Sequence, residues 1–527
     1  MRPFVLFLLA LPLLAQNDAE RCSALSHISL LDVEIISATF SPGGPAPRGG
    51  ATLPAHCQVR GAIDKRTGFE GKTFAIGFEL RLPQNWQGRF LFQGGGGMDG
   101  TVRPALGPAS GANKNPALAR GFAVVSTDAG HTGAAPLAEA DASFARDQQA
   151  RSDNAYRSID RVTQVAKQII KQYYGETWRH AYFDGCSNGG RQGLMAAQRF
   201  PLYFDGIVSG APAFRVTHAG IGSAWETLAF LKIAPKDDAG HPILSRAFSD
   251  ADLKLVANGV LKACDALDGL ADGLVMNPRA CSFNAKSLTC AGAKQTNCLS
   301  REEVSALERV MGGPKNSRGE AIYSDWPWDP GIASPGWRQL KLGTSTRAQP
   351  NSIDILLMLP GLKGYFMYPY DASFDPLKFD FDKDTSRVDD TAALQDLTST
   401  DVGTFVQHGG KLLLYHGMAD PFFSALDTQR YYERLAHDNG GPDKTMSFAR
   451  FFQVPGMNHC GGGPALDNFD ALTAITEWVE KGKAPDSLLA TGAQFPNVSR
   501  PLCAYPKHAQ YAGAGPRDDA ASFTCQE

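Results

Sequence analysis

Several features are absent from this chain, and each absence removes a class of function. Its 51 Lys and Arg are balanced by 54 Asp and Glu, for a formal net charge of −3. There is no positive excess to follow a nucleic-acid backbone, and no block of basic residues to face an anionic membrane. No two of the ten cysteines are spaced as Cys-x-x-Cys, the spacing that zinc ribbons and thioredoxin-like sites require. Internal repeats and low-complexity tracts are missing. Beyond the N-terminus, no stretch is apolar enough to cross a bilayer.

What is present at the N-terminus is Arg2, the apolar run Phe4–Ala15 and then the polar QNDAE. A short basic region, about a dozen apolar residues and a small residue at the end describe a signal peptide over residues 1–15. The expected location is therefore secreted or periplasmic, where ten cysteines read as disulfides. Spacing alone does not fix their pairing. Cys264–Cys281, Cys290–Cys298 and Cys503–Cys525 are natural local pairs, and Cys22–Cys57 would tie down the mature N-terminus. Cys186 and Cys460 have no such neighbour.

At 527 residues the chain exceeds one minimal domain. From residue 74 to 210, β-rich runs (FAIGFELRL, GRFLFQ, FAVVST) alternate with helix-like ones, which predicts a mostly parallel sheet with crossover helices. Residues 215–395 lose that rhythm and are rich in aromatics and proline. From 396 it returns with GGKLLLYHGMAD, a helix near Thr428–His437, FARFFQVPG and FDALTAITEWVEKG. The reading is a doubly wound, mostly parallel α/β core, in two parts (16–214 and 396–527), interrupted by a large inserted lid domain (215–395).

The chemistry-bearing residues sit at the turns of that pattern. Gly185-Cys186-Ser187-Asn188-Gly189 follows the strand-like HAYF and opens a helix-like stretch, the context of a nucleophile elbow. A serine needs a base and an orienting acid. On this fold the order is Ser, acid, His. Asp420 ends the run KLLLYHGMAD, with Asp427 as the rival acid. His459 follows FFQVPGMN. His416 reads as a pocket-lining or structural histidine. Asn188 N–H is one candidate oxyanion donor, and the loop Gly94–Gly97 the source of the other. In CDALDGLADGLV, Asp265, Asp268 and Asp272 with the carbonyls of Leu270 and Leu274 fit a Ca²⁺ site as well as they fit a solvated acidic turn.

Together GGGG-x-D-G, G-C-S-x-G-G-R-x-G, HG-x-x-D and PG-x-x-HC resemble the tannase and feruloyl esterase family of α/β-hydrolases. The likeness runs from about Cys22 to Cys525 and is strong toward the branch acting on mono(2-hydroxyethyl) terephthalate. It implies a Cys186–Cys460 disulfide, the triad Ser187, Asp420 and His459, and Gly97 with Asn188 as oxyanion donors. It implies His416 and Phe423 at the acyl pocket, and structural Ca²⁺ on Asp265, Asp268, Leu270, Asp272 and Leu274, with no organic cofactor. The implied substrate is a small aromatic ester, with no nucleic-acid partner and no stable membrane insertion. In that branch a lid arginine holds the substrate's free carboxylate. Here Pro350 stands at its place, with Arg347 nearby, and Leu340 replaces a lid tryptophan. A desolvated second carboxylate needs a cation or strong donors. The expectation is a serine esterase for uncharged or phenolic aryl esters, with mono(2-hydroxyethyl) terephthalate hydrolysis as the alternative. Rival readings are a peptidase or lipase on the same core, or an inactive hydrolase serving as a binding module.

Overall fold

The computed structural model describes residues 17–47, 49–107, 110–134 and 137–527. The leader expected at residues 1–15 lies outside the described residues. Nine strands make one sheet: β1 (Val33–Ser41), β2 (His56–Thr67), β3 (Thr73–Pro83), β4 (Arg89–Gln93), β5 (Phe122–Thr127), β6 (His180–Cys186), β7 (Gly206–Gly210), β8 (Lys411–Gly417) and β9 (Ala449–Val454). Their order is β1-β2-β3-β5-β4-β6-β7-β8-β9. The pairs from β5 onward are parallel. The first three strands join antiparallel, so the sheet begins before residue 74.

Strand composition follows from what covers each face. Phe122–Thr127 is buried at every position, as a parallel strand covered on both sides must be. Alternate residues then serve two cores. Phe90, Phe92, Phe183, Ile207 and Leu414 join one, and Leu91, Tyr182, Val208 and Leu413 the other. The first is closed by α1 (Ser158–Tyr174), whose Ile159, Val162, Ala166, Ile169 and Ile170 form one apolar face. Gly175, at φ 75°, ends α1 in the left-handed region. Helices on both faces of a mostly parallel sheet give the α/β-hydrolase fold.

Neighbouring strands β7 and β8 pair from Lys411↔Gly206 to Tyr415↔Gly210, and the long chain between them adds no strand to the sheet. It holds α2 (Val216–Ile233), α3 (Asp250–Cys264) and α4 (Arg301–Met311). Capping boxes at Ser249/Asp252 and Ser300/Glu303 start α3 and α4. This stretch builds its own apolar clusters and lies over the carboxyl ends of the strands, where it meets Phe422 and Phe423. Five disulfides form: Cys22–Cys57, Cys186–Cys460, Cys264–Cys281, Cys290–Cys298 and Cys503–Cys525. Among the described residues no helix is long and apolar enough to cross a membrane.

Candidate active site

Ser187 sits between β6 and the helix Asn188–Arg199, at φ 67° and ψ −128°. A non-glycine residue in that region is strained, and the surroundings hold it there. Its N–H donates to Gly210 O at 3.0 Å, and its carbonyl accepts from Ala213 and Arg191 N–H at 3.1 and 3.0 Å. The glycine loop after β4 packs directly on this turn. A Cβ at Gly94 would lie 2.7 Å from Gly189 Cα, and one at Gly189 would lie 2.9 Å from Gly95 O. Only glycine permits that approach. Gly97, Ser187 and Asn188 consequently border one cavity, and Asn188 opens the helix whose positive end faces it.

The histidine loop follows β9. His459 Nδ1 lies 2.7 Å from Asp420 Oδ2, which leaves Nε2 as the nitrogen available to a hydroxyl. Asp420 is buried, and its other oxygen accepts the N–H groups of Phe422 and Phe423 at 2.7 and 3.2 Å. Burial pushes the Asp420 carboxyl up, but His459 and His416 outweigh it and hold the group well below the usual carboxylate range. Asp427 instead pairs with Arg215 at 3.0 Å. Asn458 fixes the loop on two sides: it accepts from Ser334 Oγ at 2.6 Å and donates to Ala419 O at 3.1 Å. The Cys186–Cys460 bridge brings the Cα atoms beside Ser187 and His459 to 6.0 Å across 274 positions of sequence.

Of the two readings of His416, pocket-lining or structural, its surroundings are those of a structural histidine. It is fully buried behind the acid, with Nε2 3.1 Å from Asp420 Oδ2 and 3.0 Å from Phe423 O, and Nδ1 2.9 Å from Thr428 Oγ1. Two acceptors at Nε2 place the proton there, and Nδ1 then accepts from Thr428. The side chain faces inward because it lies on β8, two residues beyond Leu414, which belongs to the sheet's inner core. Phe423 does border the cavity and packs edge-on to His459 at 5.4 Å.

The cavity is lined by Met98, Ala213, Val216, Leu357, Met358, Phe366 and Phe422 besides the residues already placed there. Among the described residues no lysine or arginine borders it. Arg347 is exposed, and Leu340 is buried within the lid's apolar cluster. Composition alone did not single out Leu357, Met358 or Phe366, because the lid has no periodic pattern to register them.

The acidic loop of the lid presents hard oxygens with incompletely balanced charge. Burial pushes Asp268 up to about 6, and Asp272 and Asp265 add to the rise. Arg500 pairs with Asp272 at 2.5 Å, while loop N–H groups occupy Asp265 and Asp268. Among the described residues no three Asp, Glu, His or Cys side chains are gathered as a metal cluster. The donor chemistry fits a hard cation; the carboxylates here turn to the loop's own N–H groups and to Arg500.

The family model described as tannase and feruloyl esterase matches residues 57–526. The chain is 41% identical to mono(2-hydroxyethyl) terephthalate hydrolase of Piscinibacter sakaiensis, over 93% of this chain and 87% of that one. The crystal structure of feruloyl esterase B from Aspergillus oryzae superposes with a TM-score of 0.79 at 27% identity, covering 97% of this chain and all of that one. Tannin acyl hydrolase from Aspergillus niger shares the fold, with a TM-score of 0.71 at 21% identity over 97% and 96% of the two chains.

Proposed function

The chain belongs to the tannase and feruloyl esterase family and is a carboxylic ester hydrolase, and from that premise we propose a serine mechanism acting on esters of uncharged aromatic acids. Ser187 Oγ attacks the ester carbonyl as His459 Nε2 takes its proton. The tetrahedral oxyanion is held by the N–H groups of Gly97 and Asn188. Collapse expels the alcohol, which receives the proton from His459, and leaves an acyl-enzyme on Ser187. Water, deprotonated by His459, repeats the sequence and releases the acid. Asp420 holds the imidazole in the Nδ1–H tautomer and stabilises the imidazolium.

The observation that carries this reading is a strained serine at a helix start, bordering an apolar cavity, whose turn is tied by the Cys186–Cys460 disulfide to the loop of a histidine with its Nδ1 bound to a buried carboxylate. Substrate class follows from the lining. Phe366, Phe422, Phe423, Met358 and Leu357 suit a flat aromatic acyl group, and among the described residues no lysine or arginine lines the cavity to meet a second carboxylate. The named activity of the Piscinibacter relative keeps mono(2-hydroxyethyl) terephthalate as the second reading.

Phosphonate labelling of Ser187 tests the nucleophile; a wild type that forms no adduct where a known serine esterase does would end the proposal. A panel of methyl gallate, methyl ferulate, mono(2-hydroxyethyl) terephthalate and p-nitrophenyl acetate tests selectivity. The neutral aromatic esters are expected to lead, and a dominant rate on the terephthalate monoester would make the second reading correct.

Two further assignments rest on the same family. Asp265, Asp268 and Asp272, with the carbonyls of Leu270 and Leu274, would hold a structural Ca²⁺ that neutralises the loop's carboxylates. Chelation should then lower the melting temperature and Ca²⁺ should restore it; a melting curve indifferent to both would remove the ion. Export to an oxidising compartment is supported by five disulfides. N-terminal sequencing of the exported protein should start near residue 16.

A further inference from the structure

Beneath the candidate oxyanion hole lies a set of buried polar side chains to which the mechanism above gives no part. Asp99, three positions past Gly96 in GGGGMDG, is 2% exposed. It has a left-handed backbone, φ 59°, and its own N–H donates to Gly96 O at 2.9 Å, closing the turn that contains Gly97. Its two carboxylate oxygens reach across to the elbow helix. Oδ1 accepts from Asn188 Nδ2, and Oδ2 accepts from Gln192 Nε2 at 2.9 Å. Gln192 Oε1 returns to the glycine loop, accepting Gly95 N–H at 2.9 Å. On the far side, Asn188 Oδ1 accepts from Arg191 Nε at 2.7 Å. The Arg191 guanidinium is itself fixed by Ala155 O and Asn154 O.

These bonds form a closed circuit between two chain segments far apart in sequence. A carboxylate can only accept and a guanidinium can only donate. Wedged between Asp99 and Arg191, the Asn188 amide therefore has a single orientation. Each segment supplies one candidate oxyanion donor: Gly97 from the loop and Asn188 from the helix. Hydrogen-bonding energy to a developing oxyanion depends on donors being set at about 2.7–3.1 Å before the reaction begins.

We propose that Asp99, through Asn188 and Gln192, is a positioning residue that sets the distance between the two N–H donors of the oxyanion hole. It touches neither substrate nor Ser187; it acts by keeping two independently folded pieces of backbone in register. This inference rests on the esterase reading of the site. It goes beyond that reading in assigning the spacing of the hole to side chains rather than to the Gly94–Gly189 contact alone.

Asp99→Asn keeps the shape but turns one amide donor against another, so one of the two bonds is lost. The expected result is a fall in kcat of about 10–100-fold, the scale on which small misplacements act, with KM within about twofold. The rate is expressed per active Ser187, counted by the burst of p-nitrophenol from p-nitrophenyl acetate, so misfolded molecules do not register. Gln192→Met breaks the circuit from the other side and should give a similar loss confined to kcat. Because both variants break one circuit, the double variant should lose little more than the worse single one. Unchanged or raised kcat per active site, a loss carried by KM, or fully additive losses would each overturn the proposal. A wild type without esterase activity would instead bring down the reading beneath it.

Discussion

On its sheet side the cavity is bordered by Gly97, Ser187 and Asn188, backbone and short polar groups held in a dense hydrogen-bonded frame. On its lid side it is bordered by Val216, Leu357, Met358 and Phe366, which make only apolar contacts with it. Bond-making demands atoms placed to tenths of an ångström, and directional hydrogen bonds between regular elements supply that. Choosing an acyl group demands a shape and a desolvated surface, which loosely patterned side chains supply and which can change without disturbing the frame. Rate thus belongs to the hydrogen-bonded frame, and selection to the apolar lining that the lid completes over Met98, Phe422 and Phe423 of the core.

The sharpest attempt to break that division is Ser187→Ala. Hydrolysis of every ester should fall by about 10⁴-fold or more, whatever the acyl group, measured as initial rates on the substrate panel. A variant that kept its rate on any one ester would place the nucleophile elsewhere. Next comes the tether between the two core loops. Cys186→Ala with Cys460→Ala should lower kcat about 10–100-fold and destabilise the fold by about 2–5 kcal/mol. Full activity at unchanged stability would show that the two loops hold their places unaided.

A smaller effect is expected from His416→Leu, which removes one donor from Asp420. Asp420 is held below the usual carboxylate range. Its stabilising contribution is therefore complete above that range and is lost as pH falls toward the depressed value. Without His416 the carboxyl rises, so acid unfolding should shift to higher pH, and kcat should drop about tenfold. A pH–stability curve that superposes on the wild type would mean His416 does not act through Asp420. The mildest change falls on the lid: Leu357→Arg should improve kcat/KM on mono(2-hydroxyethyl) terephthalate about tenfold relative to methyl ferulate, with p-nitrophenyl acetate nearly unaffected. Parallel changes on all three esters would contradict a selective role for the lid.

Much of the core was legible because its signals are local. Strand β5 reads as FAVVST since burial on both faces admits little else, and the elbow reads as GCSNG since the turn and its close neighbour exclude a Cβ. Strands β1 and β2 escaped notice because their antiparallel, half-exposed positions mix in residues such as Glu34, Arg60 and Lys65 and lack the apolar run. His416 reads as pocket-lining or structural for a related reason: its strand is legible, but the face it takes depends on which neighbours cover the sheet there. In the lid, the helix caps at Ser249 and Ser300 are written in the chain, whereas the convergence of Leu357, Met358 and Phe366 on Ser187 has no local marker.

By itself, then, the amino-acid order determined the alternation that makes the sheet, the turn that exposes Ser187, the acid-then-histidine sequence and a set of cysteines able to bridge. Each is a short-range property, set by backbone sterics or by the periodicity of burial. Only the tertiary structure decided that His416 backs the acid, that Asp99 and Gln192 join the glycine loop to the elbow helix, and that Leu357, Met358 and Phe366 gather at the cavity. The first depends on which layer covers the face of β8 that His416 occupies, and the others on contacts between segments tens to hundreds of residues apart, whose directions are settled only when the layers pack.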